Sequence, residues 1–347
     1  MKVLMISGDP GVLDLGSETG KRMEEYRKAL GELDILVCRG NIFSFALGFL
    51  RGMKMMRRTH YDIITAQDIE HSFLAWMLAK IFGIKWQMQI HTDIFSPYFV
   101  KNRAFNKTMV WLAKFLLPRA DCVRAVSERI KKSIDTWRLS RQVAAQPPII
   151  VLPIFVDTEK IKNSPIETDL HEKYGKDKFI ILMASRITKE KNIGLAINVL
   201  RNRLIRTNKP ILLLVVGNGP ELPALRRKAY GLGLENNVVF EPYTNDLASY
   251  YKTCDLFLLT SNYEGYGRAL IEAASAGAKI ISSDVGIAQE ILEPENIFKA
   301  GDADDLKSKL ENAISGEIKQ ARLPKLPTKA EYLKLFAESF EKCLPAG

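Results

Sequence analysis

Short apolar runs, each stopped by glycine, proline or polar residues, alternate along the whole chain with longer stretches whose apolar positions recur at helical spacing. That alternation predicts βα units around parallel sheets. Val3–Ile6, Asp34–Val37, Asp62–Thr65, Trp86–His91 and Cys122–Val126 predict the strands of a first sheet, with helices such as Lys21–Leu30 and Phe73–Ile81 between them. After Ser164–Pro165 the pattern restarts with Phe179–Met183, Ile211–Val216, Val238–Phe240, Leu256–Leu259 and Lys279–Ser282. The expectation is an α/β chain of two Rossmann-like domains, residues 1–163 and 164–328. The length agrees, since 347 residues exceed what one core usually organises. The polar, proline-containing segment Asp157–Lys178 is the expected hinge. In residues 329–347, Tyr332, Leu333, Leu335, Phe336 and Phe340 fall at helical spacing and predict a C-terminal helix able to pack back onto the first domain.

Charge refines this picture. The net charge is +10, but residues 1–165 hold 25 Lys and Arg against 16 Asp and Glu, whereas residues 166–347 hold 25 against 24. The basic excess therefore lies in the first half. The apolar Val3–Ser7 stops at Gly8-Asp9-Pro10, too short for a signal-peptide core, and no run of about 18 apolar residues could span a bilayer. A cytoplasmic protein is expected. Cys38, Cys122, Cys254 and Cys343 lack C-x-x-C pairing and nearby histidines, so they are expected to be reduced core residues. Asp302, Asp304 and Asp305 read as the acidic start of a helix rather than a metal site. Neither a metal nor a cofactor is expected.

The stretch richest in chemistry begins at the buried run Leu256–Leu259 and continues Thr260-Ser261-Asn262-Tyr263-Glu264-Gly265-Tyr266-Gly267-Arg268-Ala269-Leu270-Ile271-Glu272. A strand ends in a polar loop with two glycines, and a helix starts close to Gly267. The unpaired N–H groups and positive dipole of such a helix start form a phosphate site at the carboxyl edge of a sheet. Upstream, Phe179–Met183 runs into Ala184-Ser185-Arg186-Ile187-Thr188-Lys189-Glu190-Lys191-Asn192, which sets Arg186 at a strand end and Lys191 at the next helix start. Two cations so placed can converge on a diphosphate, one as a fork and one as a point charge. Val215-Val216-Gly217-Asn218-Gly219-Pro220 is another strand running into a glycine turn.

Glu264 and Glu272 with the words around them resemble the Glu-x7-Glu motif of the GT-B family of retaining glycosyltransferases, the group 1, family-4-like enzymes. The resemblance is specific over residues 180–300. It implies two Rossmann-like domains facing across a cleft and a nucleotide diphosphate sugar as donor. It also implies retention at the anomeric carbon and no need for a metal. By it, Glu264 binds hydroxyls of the donor sugar, Glu272 the ribose, and Arg186 and Lys191 the leaving diphosphate. Gly217, Asn218, Gly265, Tyr266, Gly267, Arg268 and Ala269 shape the pocket, and Glu241-Pro242-Tyr243 lies near the base. The family often has glycine where Pro242 stands. In the first half, His91 in Gln89-Ile90-His91-Thr92-Asp93 resembles the family's histidine near the reacting carbon, and Gly16 is the expected close-approach glycine of the loop Gly8–Gly20. Leu152-Pro153-Ile154-Phe155-Val156-Asp157 resembles the interdomain segment.

Phe99–Arg119 mixes Lys101, Arg103, Lys107, Lys114 and Arg119 with Phe105, Met109, Trp111, Phe115, Leu116 and Leu117, and Arg51, Lys54, Arg57 and Arg58 add a second basic cluster. A basic amphipathic helix with aromatic residues suits an anionic membrane surface, equally a core helix with a solvated basic face. The membrane reading favours a lipid-linked acceptor over a free glycan. Two rivals stand beside the transferase: an epimerase of nucleotide sugars with the same fold, and a basic nucleic-acid-binding protein. No nucleic-acid recognition motif accompanies the basic half, so nucleic acid is not an expected partner.

Overall fold

Two six-stranded, wholly parallel sheets organise the described residues of this computed structural model, which are 1–39, 42–102, 104–142, 146–201 and 209–344. The chain divides into two compact units, Met1–Phe155 with Pro327–Gly347, and Val156–Leu326. The first unit contains β1 (Lys2–Ser7), β2 (Glu32–Val37), β3 (Ile63–Gln67), β4 (Lys85–Ile90), β5 (Cys122–Ala125) and β6 (Ile149–Val151), in spatial order β2-β1-β3-β4-β5-β6. The second contains β7 (Phe179–Ala184), β8 (Ile211–Val216), β9 (Val238–Glu241), β10 (Leu256–Leu259), β11 (Ile280–Ser283) and β12 (Ile297–Phe298), in order β12-β11-β10-β7-β8-β9. Crossover helices cover both faces of a parallel sheet, so its strands read as unbroken apolar runs; every residue of β7 is buried. Only β6 and β12 escaped the pattern, being edge strands of three and two residues.

Each order contains one reversal, where loops leave neighbouring strands in opposite directions. In the first sheet it lies between β1 and β3, in the second between β7 and β10. Ligands of open α/β sheets bind at such points, beyond the carboxyl ends of the strands.

Three expectations are corrected. The segment expected as a hinge, Asp157–Lys178, is built into the second unit as the helices Thr158–Asn163 and Leu170–Tyr174, and the division between units falls at Phe155 rather than after Asn163. Its polar groups have partners there: the Lys252 ammonium donates to the carbonyls of Lys162 and Ser164, and the Glu167 N–H to Ser249 Oγ. Cys122 and Cys343, expected as thiols, are joined in a disulfide with Cα atoms 5.2 Å apart. The fold brings them together across 221 residues of sequence, a proximity their spacing does not reveal. Third, the α-helix expected over Phe99–Arg119 stops at Leu116 and gives way to a 3-10 turn Leu117–Arg119; the described helical residues before it are Pro97–Asn102 and Ala104–Leu116, and Arg103 lies outside the described residues.

The C-terminal helix Lys329–Glu341 belongs to the first unit. Thr328 and Glu331 close a reciprocal capping box at its start. Tyr332, Phe336 and Phe340 enter the core, where the Phe336 ring stacks on Tyr26 with centroids 4.0 Å apart. Among the described residues no helix is long and apolar enough to cross a membrane.

Candidate active site

In the second unit the loops after β7 and β10 meet at the reversal of strand order. Lys191 Nζ donates to Glu264 Oε1 at 2.5 Å, and Ser261 Oγ donates to the same oxygen at 2.7 Å. Both contacts fall on Oε1, and among the described residues no hydrogen bond falls on Oε2. The loops are sewn together below this pair: Thr260 Oγ1 donates to the carbonyls of Lys191 and Asn192, Asn192 Nδ2 to Asn262 Oδ1, and the Asn262 N–H to Glu190 O. The carboxylate and the ammonium are both largely shielded from solvent, so their positions are fixed by packing rather than by the weak pairing of surface ions.

Arg186 does not join them. Its side chain is 79% exposed and its guanidinium lies 3.7 Å from Glu190, which also takes the Thr188 hydroxyl. Of the two cations expected to converge, only Lys191 is anchored on Glu264.

Gly267, in a left-handed conformation with φ 91°, precedes the helix Arg268–Ser275 and has no side chain to cap it. The first N–H groups of that helix, from Arg268 and Ala269 onward, therefore point out of its end. Gly265 and Tyr266 are buried in the turn, and Tyr266 O accepts from the Ile287 N–H. At Gly217 and Gly219 the loop after β8 presses on the loop after β7; at Gly219 a Cβ would lie 2.1 Å from Ile187 O, and Gly217 is the tighter of the two. It has φ 144°, and a Cβ there would lie 1.9 Å from Ser185 O. Next to it the Asn218 carbonyl accepts from the Ile187 N–H at 2.8 Å. The glycine turn thus sets the path of the segment carrying Arg186.

Glu272 lies one side of the helix start. Its Oε1 accepts from Arg268 at 3.2 Å and its Oε2 from Tyr251 at 3.3 Å. Tyr251 is buried against Phe257 of β10; burial first, then the Glu272 carboxylate, raises its pKa well above the ordinary value, so the hydroxyl remains a donor. Glu272, Arg268 and Tyr251 line an open pocket of about 800 Å³ within the second unit, with Tyr243, Asp246 and Lys160 on its other walls. Tyr243 is exposed there, presenting its ring to the pocket.

In the first unit His91 follows β4 directly, at the carboxyl edge of the sheet. Its Nε2 lies 3.3 Å from Gln89 Oε1. Burial, with the charges of Arg124 and Arg22, pushes its pKa down to about 3, so the ring is neutral at physiological pH. At Gly16 a Cβ would meet only the Asp14 carboxylate at 3.2 Å, whereas at Gly20, where the start of the helix Glu18–Leu30 folds against the loop, it would lie 1.9 Å from Asp14 O. Ser261, Tyr251, Lys160, Gln89 and Arg124 also went unmarked. Ser261 and Gln89 lie in the stretches that carry Glu264 and His91, and the roles of all five come from what the fold sets beside them.

Residues 167–326 match the family of glycosyl transferases group 1, and residues 33–148 match the glycosyl transferase 4-like domain. The alpha-monoglucosyldiacylglycerol synthase of Streptococcus pneumoniae is 26% identical over 243 residues, which are 68% of this chain and 54% of that protein. The Escherichia coli UDP-Gal:alpha-D-GlcNAc-diphosphoundecaprenol alpha-1,3-galactosyltransferase is 24% identical over 247 residues, 67% of this chain and 60% of that one. The chain thus spans little more than half the length of these relatives. Among solved structures, Alr3699/HepE of Anabaena in complex with UDP matches with a TM-score of 0.68 at 19% identity, covering 99% of this chain and 95% of its own.

Proposed function

The chain belongs to the group 1 glycosyltransferases and has their GT-B fold, and from that premise we propose that it is a retaining enzyme moving a sugar from a nucleotide diphosphate donor to a glycan or lipid-linked acceptor. The observation that carries this reading is the meeting of Lys191 and Glu264 at the strand-order reversal, directly before an uncapped helix start. As the anomeric C–O bond breaks, its electron pair goes to the departing diphosphate. Lys191 and the N–H groups after Gly267 are placed to take that charge, a task this reading assigns to the protein rather than to a metal. Arg186 can join them at little cost, because its exposed pairing with Glu190 contributes almost nothing. The free Oε2 of Glu264 accepts sugar hydroxyls, and Glu272 accepts those of the ribose. The acceptor hydroxyl forms the new C–O bond and passes its proton to a departing phosphate oxygen. Alr3699/HepE structures containing UDP and UDP-glucose support a nucleotide-sugar donor.

Calorimetry with UDP-glucose, GDP-mannose and ADP-glucose, without added metal, tests the donor site. One nucleotide class is expected to bind, and Glu272→Ala to weaken it at least about tenfold by removing charge-assisted hydrogen bonds. Absence of binding to all three sinks the donor reading. Tyr251→Phe, which removes only the hydroxyl holding Glu272, is expected to weaken the ribonucleotide about fivefold and leave its 2′,3′-dideoxy analogue unchanged. An equal loss for both would show that Tyr251 does not act through the ribose.

We further propose that the first unit rests on an anionic membrane surface. Rings of Phe45, Phe73, Trp76, Phe115 and Trp111 form a row across three helices, each within 6.2 Å of the next. The helix Ile42–Arg58 exposes Phe43, Leu47 and Leu50, and Ala104–Leu116 exposes Phe105 and Trp111. Arg51, Lys54, Arg57, Arg58, Lys101 and Lys107 are exposed on the same helices and their neighbour. Apolar rings flanked by cations suit the headgroup boundary, and the names of the two relatives, for a diacylglycerol and an undecaprenol product, support it. Sedimentation with phosphatidylglycerol vesicles should exceed that with phosphatidylcholine severalfold, and should weaken in high salt and in Trp111→Ala. Equal binding to both lipids would remove the proposal.

A further inference from the structure

Arg124, on β5, is 3% exposed, and among the described residues no carboxylate pairs with it. Its guanidinium meets neutral acceptors instead. Nη1 donates to Gln89 Oε1 at 3.0 Å, and Nη2 to Tyr332 Oη at 2.9 Å and more distantly to the carbonyls of Leu152 and Pro153. The Phe336 ring covers it at 5.1 Å. Nε has no hydrogen-bond partner among the described residues, so the orientation of this buried charge rests on the bonds of Nη1 and Nη2 and on the ring that covers it.

An arginine donates and never accepts. The atom of the Gln89 amide that faces it is therefore the oxygen. The other end agrees, since Gln89 Nε2 donates to Thr65 Oγ1 at 2.8 Å. That same amide oxygen lies 3.3 Å from His91 Nε2. An oxygen acceptor requires a proton on Nε2, which leaves the lone pair of a neutral ring on Nδ1.

We infer that Arg124, acting through Gln89, fixes His91 as the neutral Nε2-protonated tautomer, with the lone pair of the ring on Nδ1, where it accepts a hydrogen bond and cannot donate one. Arg124 and Gln89 are positioning residues for His91. Neutrality agrees with the two cations that face His91, Arg124 and Arg22, both of which oppose a third positive charge. The inference also gives the C-terminal helix a part in holding His91. Tyr332 and Phe336 complete the socket of Arg124, and Tyr26 holds the Tyr332 hydroxyl in turn at 3.1 Å.

The test is nitrogen NMR on the full chain labelled with 15N-histidine, with His91→Gln identifying the resonances. At pH 7 and at pH 5 His91 should show a protonated Nε2 and an unprotonated Nδ1. Gln89→Leu should give a mixture of tautomers. Tyr332→Phe, which leaves Gln89 in place, should shift the His91 resonances in the same direction by a smaller amount, and serves if the leucine variant does not fold. A protonated Nδ1 in the wild type at pH 5, or His91 resonances unchanged in a folded Gln89→Leu variant, would overturn the inference.

Discussion

Lys191→Ala should slow sugar transfer by roughly a hundred- to a thousand-fold, the usual loss when one preorganised group that stabilises developing charge is removed. The ammonium is held at 2.5 Å from Glu264 and shielded from solvent, so no neighbouring side chain replaces it. Arg186, 79% exposed, is not fixed in place and recovers little of the loss. Lys191→Arg should be closer to alanine than to wild type, because a planar fork does not reproduce a compact point charge in a site shaped around it. Glu264→Gln separates the two roles: it keeps the shape and the acceptor oxygen, but leaves the ammonium without its counter-ion. Initial rates of nucleotide release, with melting temperatures as the control for folding, provide the measurement. A Lys191→Ala enzyme within threefold of wild type would show that the charge on the leaving group is met elsewhere.

Cys343→Ser should cost the largest share of stability of any single change in the first unit. The Cys122–Cys343 bond closes a loop spanning 221 residues, and the chain-entropy relation assigns about 5 kcal/mol to releasing a loop of that size. The aromatic face of Lys329–Glu341 remains, with Tyr332, Phe336 and Phe340 buried, so the helix should stay docked while the unfolded chain gains freedom. Urea unfolding of wild type and Cys343→Ser, each with and without reductant, measures the difference. The wild type should lose most of its advantage when reduced, and Cys343→Ser should not respond. Coincident midpoints for all four would show that the bond contributes nothing to stability.

How legible the molecule was varied with the range of the interaction. Strands buried on both faces, such as Phe179–Ala184 and Ile211–Val216, announce themselves because local composition and burial coincide. The helix starting at Arg268 was legible for the same reason, as was the acidic start at Asp302, whose side chain caps the N–H groups of Asp304 and Asp305. The edge strands β6 and β12 were not, because two or three residues leave no period. The segment Asp157–Lys178 looked like a linker since it is polar, yet its polar groups find partners on Lys252, Ser249 and Glu241 that lie far along the chain.

The sequence by itself determined the two rounds of βα units, the helix behind Gly267, and the residue types that gather at the second strand-order reversal, because each of these depends on neighbours within about a dozen positions. Tertiary structure alone decided which of them touch. It set Lys191 on Glu264 and left Arg186 in solvent, placed Tyr251 behind Glu272, pressed Gly20 against Asp14, and joined Cys122 to Cys343. It also brought Tyr332 from the far end of the chain to hold Arg124. These are contacts between residues tens to hundreds of positions apart, and their energies depend on distances of a few ångströms that composition and spacing do not encode.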